Sequence, residues 1–306
     1  MALQETLKNT VIIKSGAVPA TTDVVAITDP ILLSPKVKTG KSDAIGAGSL
    51  ASSTGYVDNS DVTAEFSVSM ELRSPVTLGT ACEASNLFKI SGLAETLTAT
   101  TKAEYKLGGI TSSGTGQAKV YNDGFSRLVT GMSASMKISG KIGEPVKVSF
   151  DTKGVTTAAA GAETNPVVTL NAGSKIIMSK ANTVVTVSGT TLSIMDFELD
   201  LGAKVERSYT SNTNEFYIEN YEPKLSITFV KTKTTDENAW TQLAAGGQSV
   251  ISITVGSTGN QLVIDAAKAF SDSVDESDDR GRVTMKRAFT LENGGTANNN
   301  FLITLK

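Results

Sequence analysis

Three carboxylates at alternating positions are the first candidates for chemistry in this chain. Asp196, Glu198 and Asp200 are separated by single apolar residues, which is the period of a strand with one polar and one apolar face. Paired carboxylates can serve as acid and base in glycoside hydrolysis. Here the i, i+2 spacing places all three on one strand, and no aromatic cluster lies beside them. The pattern therefore argues against a glycosidase.

Residue types required by most other catalytic sites are missing. The 306 residues include no histidine, which excludes Ser-His-Asp and Cys-His arrangements and imidazole metal sites. The single cysteine, Cys82, excludes an intrachain disulfide and a multi-cysteine zinc site, and we assign it to the core. We therefore predict no catalytic, cofactor-binding or metal-ligating residue and expect a protein that is not an enzyme. A carboxylate-based enzyme remains an alternative.

Two further segments resemble functional motifs only in composition. Asp275–Gly281 is acidic like a calcium loop but lacks the alternating ligands, central glycine and final glutamate of an EF-hand, so we interpret Asp272–Arg282 as a charged surface loop. The glycine-rich stretch of residues 46–55 does not link a strand to a helix as a phosphate loop does. Trp240 is predicted to anchor a helix in the core or at a subunit contact.

Composition excludes several classes of protein. The net charge is −3 and 19% of residues are charged, so the chain is not expected to bind nucleic acid or anionic membranes generally. With 40% apolar residues it can bury a substantial core. No apolar run approaches the ~18 residues of a membrane helix. The segment MALQETLKNT does not resemble a secretion signal, and we expect synthesis in a reducing cytoplasm.

Regular alternation predicts strands in the first half of the chain. Val62–Arg73 alternates throughout, and Met132–Thr152 predicts a hairpin that turns at Gly140–Pro145. Between them we predict a short helix, with Ser74 as N-cap and Gly92 at its end, and a strand at Thr98–Leu107. Residues 1–60 are interpreted as an arm with short strands, with a flexible segment at Gly40–Tyr56.

The second half repeats this order of elements. Leu192–Val230 predicts a ribbon of one-sided strands, and Asp236–Ala245 predicts a helix with Asp236 as N-cap. Strands are predicted at Val167–Leu170, Ile176–Met178, Val184–Val187, Val250–Val255 and Leu262–Ile264. The chain is predicted to end in a hairpin of Val283–Leu291 with Phe301–Leu305.

The repeated order of strand, short helix, strands and hairpin suggests a duplication. The first copy runs from Val62 to Lys153 and the second from Leu225 to Lys306, although few residues are identical between them. We predict an all-β protein with two pseudo-repeated modules, residues 1–155 with the arm and residues 156–306, and a boundary in the linker of residues 153–166. Hairpins repeated for no common reason remain the alternative.

Four segments together resemble the major tail tube proteins of long-tailed, siphovirus-type bacteriophages. They are AEFSVSMELRSPVTLGTACEASNL, GMSASMKISGKIGEPVKVSFDTKG, FELDLGAKVERS and the C-terminal run LVIDAAKAF, RVTMKRAFTLENG and NNFLITLK. The order and spacing of the segments, which span residues 55–306, carry the resemblance. It implies β-sandwich tube modules with short flanking helices, whose inner sheets join into a ring-shaped β-barrel. Rings of three double-module or six single-module subunits then stack into a tube.

The resemblance also implies a function and partners. The chain would be a structural virion protein, assembled in the host cytoplasm into a phage tail tube that guides DNA ejection. Its partners would be further copies of itself and the tail tip or initiator and terminator proteins, with no membrane. The tape measure protein and DNA would pass through the lumen without specific binding. Asp196, Glu198 and Asp200 become candidates for lining that lumen.

Two alternatives stay open at this point. The three carboxylates can equally be solvated residues on any exposed sheet face. The chain can also be a surface adhesin or pilus-like subunit with a β-sandwich fold, although the missing secretion signal and the helices that flank the predicted modules argue against that class. Glycan or receptor binding without tube formation would distinguish it.

Overall fold

The computed structural model describes residues 9–20, 23–33, 35–41, 55–108, 116–157, 161–167, 173–295 and 298–306. This part of the chain contains twenty strands and two helices, so the predicted all-β class is confirmed. The first half comprises β1 (Asn9–Ser15), β2 (Val24–Val25), β3 (Lys36–Lys41), β4 (Gly55–Glu71), α1 (Ser85–Ile90), β5 (Leu93–Thr98), β6 (Lys102–Leu107), β7 (Gly116–Asn122), β8 (Phe125–Lys141), β9 (Lys147–Thr156) and β10 (Gly161–Ala162). The second half comprises β11 (Thr183–Val187), β12 (Thr190–Thr191), β13 (Ile194–Asp200), β14 (Ala203–Tyr209), β15 (Asn214–Tyr221), β16 (Lys224–Val230), α2 (Lys233–Ala244), β17 (Gln248–Ser257), β18 (Asn260–Asp279), β19 (Arg282–Leu291) and β20 (Leu302–Leu305).

One antiparallel sheet runs across both halves, and we call it the main sheet. Its strands follow the order β3, β4, β9, β8, β13, β16, β19 and β18. Along each strand, apolar residues alternate with polar ones, which sends the two sets to opposite faces. The apolar face is buried and includes Phe66, Phe150, Phe197, Phe229 and Phe289. The other face is polar from β4 to β18.

Strand pairing repeats between the two halves. In the first half, β1 pairs with β2 and β7, β4 pairs with β9, and β8 pairs with β7, β9 and β10. In the second half, β11 pairs with β12 and β17, β16 pairs with β19, and β18 pairs with β17, β19 and β20. β3 pairs with β4 in the first half, and β13 pairs with β16 in the second half. A similar order of strand pairing therefore occurs in both halves, even though few residues match.

The two halves are joined by strand pairing rather than by a linker alone. β13 of the second half pairs with the C-terminal part of β8, from Asp196 opposite Lys141 to Asp200 opposite Lys137. β20 pairs with β6 of the first half as well as with β18. The predicted boundary within residues 153–166 stays a prediction. In that segment, β9 continues to Thr156 and β10 returns to pair with β8.

Strands outside the main sheet form a second layer over its apolar face. In the first half, β1 and β7 continue from the N-terminal part of β8, and in the second half β11 and β17 continue from the N-terminal part of β18. A shared cluster of buried apolar side chains lies between the layers. The arrangement is a β-sandwich whose layers are linked by the long strands β8 and β18.

The predicted helices are the elements that differ most from the structure. α1 starts at Ser85, and its N-cap is Ala84 without a side-chain cap, so the prediction of a helix capped by Ser74 was wrong for the first ten residues. α2 begins at Lys233, so Asp236 lies inside the helix. Trp240 is 44% exposed and Ala239 is buried, so Trp240 does not anchor the helix in the core, and the alternative of a subunit contact stays a prediction.

Several strand predictions also need correction. The charged segment Asp272–Arg282 is not a loop, because β18 continues to Asp279 and pairs with β19. The terminal hairpin is wrong, since β20 pairs with β18 and β6 rather than with β19. The predicted strand Thr98–Leu107 is a strand only from Lys102, as β6, and a turn precedes it. The strand before this turn, β5, was not predicted. The predicted strand Ile176–Met178 is not a strand, because Ile177 forms only an isolated bridge with Pro145.

Two predicted segments lie largely outside the described residues. The predicted strand Val167–Leu170 includes residues 168–170, and the Gly40–Tyr56 segment includes residues 42–54. Neither described helix has the length and the apolar character that a membrane-spanning helix requires.

A buried polar network fixes α1 to the hairpin of β5 and β6. Glu95 accepts hydrogen bonds from Ser85 Oγ at 2.6 Å and from Tyr105 OH at 2.9 Å, and its other oxygen pairs with Lys89. Burial alone would raise the pKa of Glu95, but these three partners outweigh it and hold the pKa below the usual 4.5. Burial also raises the pKa of Cys82 to about 11, in keeping with the core position predicted for it.

Glu95 should therefore make folding sensitive to acid. A carboxyl whose pKa is lowered in the folded state stabilises the fold above its unfolded pKa, and this contribution disappears as pH falls through the folded pKa. We expect Glu95→Gln to reduce the free energy of unfolding near neutral pH and to flatten its decline below pH 4.5. Urea unfolding at a series of pH values measures both effects. Glu222→Gln, at an exposed position, controls for the loss of one charge, and an equal change in both variants would contradict the role of the network.

The joint between the halves should be sensitive to a single added methyl group. Gly140 on β8 lies opposite Phe197 on β13, and a Cβ at Gly140 would lie 2.4 Å from Phe197 Cε1. Because overpacking forces the ring or the strands to move, we expect Gly140→Ala to lower the free energy of unfolding by about 1–3 kcal/mol. Gly161→Ala is the matched control, since its added Cβ would meet nothing closer than 3.9 Å. Equal stability of the two variants in urea unfolding would contradict this packing.

Candidate assembly surface

Asp196, Glu198 and Asp200 lie at the centre of the polar face of the main sheet. They belong to β13, the strand that joins the two halves, and all three are at least partly exposed. Phe197 and Leu199 between them are buried on the opposite face. The alternation predicted from the sequence therefore holds here, and it directs the carboxylates away from the core.

Lysines on the neighbouring strands face these carboxylates. Lys137 on β8 lies opposite Asp200, with Lys137 Nζ 2.8 Å from Asp200 Oδ2. Lys224 on β16 lies opposite Asp200 on its other side, and Lys141 lies opposite Asp196. The hydrogen bond to Asp200 is the main reason that the pKa of Lys137 is raised. Asp196 and Asp200 thus have lysines directly opposite, whereas Glu198 lies opposite Ser139 and Ser226.

The same alternation of charge extends across the whole polar face. Several residues that lie directly opposite each other on adjacent strands are an acidic and a basic residue, and opposite charges in this position stabilise a sheet. The further pairs are Glu65 with Lys153, Glu71 with Lys147, and Asp275 with Lys286. Serine and threonine fill many of the remaining positions, among them Ser67, Ser69, Ser149, Ser226 and Thr228. The face is strongly polar, but its positive and negative charges largely balance.

The described part of the polar face does not enclose a pocket for a small molecule. A shallow depression at the joint is bordered by Lys141, Glu144, Asp196, Glu198 and Lys286, so charges of both signs line an open surface. Within the described residues, no group of three or more acidic or cysteine side chains is placed to hold a metal ion. What the geometry provides is an extended polar surface together with two strand edges.

The two ends of the main sheet are its second notable feature. Among the described strands, β3 pairs only with β4, so its other edge is open. β17 pairs with one edge of β18 as far as Phe270, and no described strand pairs with that edge beyond it. Backbone amides and carbonyls on such edges are ready to pair with another strand. Sequence reasoning missed the β18 edge because its final residues, Asp275–Asp279, are mostly acidic and have low strand propensity.

Comparison with known proteins does not place the chain in a family. A scan against protein-family models finds no match, and a search of curated proteins finds no significant match. Function must therefore be inferred from the sequence and from the geometry of the polar face.

The ion pair between Lys137 and Asp200 should contribute little to stability. The two side chains are 43% and 29% exposed, and exposed pairs are typically worth about 0.2–1 kcal/mol. A double-mutant cycle with Lys137→Met and Asp200→Asn in urea unfolding should give a coupling energy in this range, and added salt should reduce it.

A matched cycle tests whether that coupling is local. Lys137→Met combined with Asp275→Asn pairs the same lysine with a carboxylate four strands away, about 19 Å at ~4.8 Å per strand. We expect no measurable coupling there. Equal coupling in the two cycles would indicate a general charge effect rather than a cross-strand pair.

Proposed function

We propose that this protein is the major subunit of a bacteriophage tail tube and acts by self-assembly into stacked rings. One observation carries the proposal. The chain contains the same strand-pairing unit twice, and the two units are joined side by side through β8 and β13 into a single one-sided sheet. A chain that already joins two such units by their edges can extend the same sheet to further copies.

Ring closure would resolve the problem that the two sheet ends create. Exposed strand edges promote uncontrolled association, and closing a sheet on itself removes them. Joining copies through β3 and β18 would extend the main sheet at both of its ends. Since each chain contributes two units, a ring of three chains presents six of them, and this number favours three subunits over six.

The polar face of the main sheet is the proposed lining of the lumen. Asp196, Glu198 and Asp200 would be part of it, together with the lysines that neutralise them. A surface with a dense positive charge would bind DNA through its phosphates. A face on which carboxylates alternate with lysines and short hydroxyl side chains holds phosphate weakly, and DNA or a tape measure protein can then move along it.

The remaining expectations follow from this role. The subunit would be assembled in the host cytoplasm on a tail tip or initiator complex, capped by a terminator protein, and carried in the virion. It would perform no catalysis and require no cofactor. The α-helices, which lie outside the main sheet, would be on the outer side of the ring.

Electron microscopy of the purified protein at increasing concentration tests the proposal. We expect hollow rings that stack into tubes, and mass photometry of the same sample should give three subunits per ring. A protein that remains monomeric over the full concentration range, also in the presence of preformed ring seeds, would contradict the proposal. Binding to a glycan or cell-surface receptor by such a monomer would indicate an adhesin instead.

A further inference from the structure

Among the described residues, Arg287 on β19 is the one charged side chain that is fully buried, with 3% of its surface exposed. Its neighbours on β16 and β18, Ile227 and Val274, are apolar. The guanidinium carbon lies 4.7 Å from the centre of the Phe289 ring, so one face of the group is stacked on an aromatic side chain. Taking a charge out of water is costly, and a buried arginine is therefore usually paired with an opposite charge.

The hydrogen-bond partners of this guanidinium are neutral. Arg287 Nη2 donates to Gln242 Oε1 at 3.0 Å and to Ser271 Oγ at 3.4 Å, and Nε has no acceptor among the described residues. Burial lowers the pKa of Arg287 to about 10, and no carboxylate of the described residues acts against it. The guanidinium therefore lacks the counter-charge that its burial requires.

Two buried donors converge on the amide oxygen of Gln242. Besides the hydrogen bond from Arg287, Gln242 Oε1 accepts one from Ser249 Oγ at 3.1 Å. Ser249 is 1% exposed, and Ser271, beside the guanidinium, is 2% exposed. A carboxylate oxygen would accept the same hydrogen bonds and would also supply the missing negative charge, and the planar guanidinium matches a carboxylate in shape. The donors are thus those of a carboxylate receptor, with a neutral amide in the place of the carboxylate.

α2, which carries Gln242, is held by fewer apolar contacts than α1. Among its described side chains only Ala239 is fully buried, and Leu243 is half-buried. By contrast, α1 buries Leu87 and Phe88 completely. Elements that bury few apolar side chains open most readily. The polar contact of Gln242 is therefore a main attachment of α2, and lifting of the helix would uncover the guanidinium.

We propose that Arg287, Ser249 and Ser271 form a carboxylate-binding site, which Gln242 of α2 closes and which a carboxylate opens by displacing Gln242. Binding of the carboxylate and release of α2 are then coupled, and each favours the other by the same free energy. This site is separate from the polar face that would line the lumen, and it can be tested on the unassembled protein.

The single tryptophan of the chain reports on the helix directly, because Trp240 belongs to α2. In a titration with acetate, quenching of Trp240 fluorescence by acrylamide should rise along a saturating curve, by at least about two-fold, as α2 lifts. Sodium chloride at equal ionic strength should leave the quenching unchanged. A wild-type protein without a saturable response to acetate would overturn the site.

A carboxylate built into the chain makes the test specific. Gln242→Glu should abolish the response to acetate and slow hydrogen exchange of the α2 amides at least about ten-fold, since the buried guanidinium gains its counter-charge. Gln117→Glu is the matched control, because it adds the same charge on β7 of the first half, and it should behave as the wild type. Equal exchange of the α2 amides in these two variants would contradict the receptor.

Removal of the guanidinium is the complementary change. Arg287→Met should also abolish the response to acetate, but it should not slow exchange in α2. If this variant fails to fold by circular dichroism, Arg287→Lys replaces it, since it keeps the charge, loses the planar fork and should weaken acetate binding at least about five-fold. A response to acetate that persists at full strength without the guanidinium would exclude Arg287 as the binding group.

Acetate represents a chemical class with two sources, a free carboxylate or an acidic side chain of a second copy. Assembly of the Gln242→Glu variant separates them, because its site is already filled. A rise of at least about ten-fold in the concentration required for assembly would identify the second copy as the source, and unchanged assembly would identify a free carboxylate. Wild-type protein that never assembles would overturn the proposed function, whereas the acetate titration would still decide whether the site exists.

Discussion

The antiparallel pairing of β13 with β8 is the interaction on which the rest of the structure depends. It satisfies the backbone groups along the C-terminal part of β8 and places Phe197 over Gly140. Without it, the first half would end in an open edge and the second half would begin with one. Because β13 also pairs with β16, this one strand converts two sandwiches into a continuous sheet with a shared core.

The register of that pairing determines the chemistry of the polar face. Side chains alternate with a period of two, so a slip of one residue would bury Asp196, Glu198 and Asp200 and expose Phe197 and Leu199. The core therefore enforces the register, and the register places lysine opposite carboxylate. Individual pairs on an exposed face add little stability, so their importance lies in the surface they create, which is polar without a dominant charge.

The sequence predicted what local alternation determines and missed what distant pairing determines. β9 and β13 alternate clearly and lie within predicted segments, whereas β4 and β8 were predicted only from Val62 and Met132, and each begins seven residues earlier, at Gly55 and Phe125. The acidic end of β18 has low strand propensity and is held extended by β19, which no local pattern indicates. β20 was assigned to the adjacent β19 because hairpins between neighbouring strands are common, whereas it bridges β18 and β6. Candidate lumen residues were predicted only on β13, because the matching lysines come from β8 and β16.

Charged side chains on an edge strand limit which other strands can pair with it. Lysines and carboxylates on an edge strand are a common means of preventing association of free monomers. Their cost is that any partner strand must neutralise them. On this chain β3 carries lysines and the end of β18 carries carboxylates, and Lys36 on β3 is already paired with Glu65 on β4, with 2.6 Å between Lys36 Nζ and Glu65 Oε2. The internal joint shows the same arrangement already paired, with Lys137 facing Asp200. Pairing within the sheet thus already neutralises these charges, because the core holds the strands in the register that brings them together.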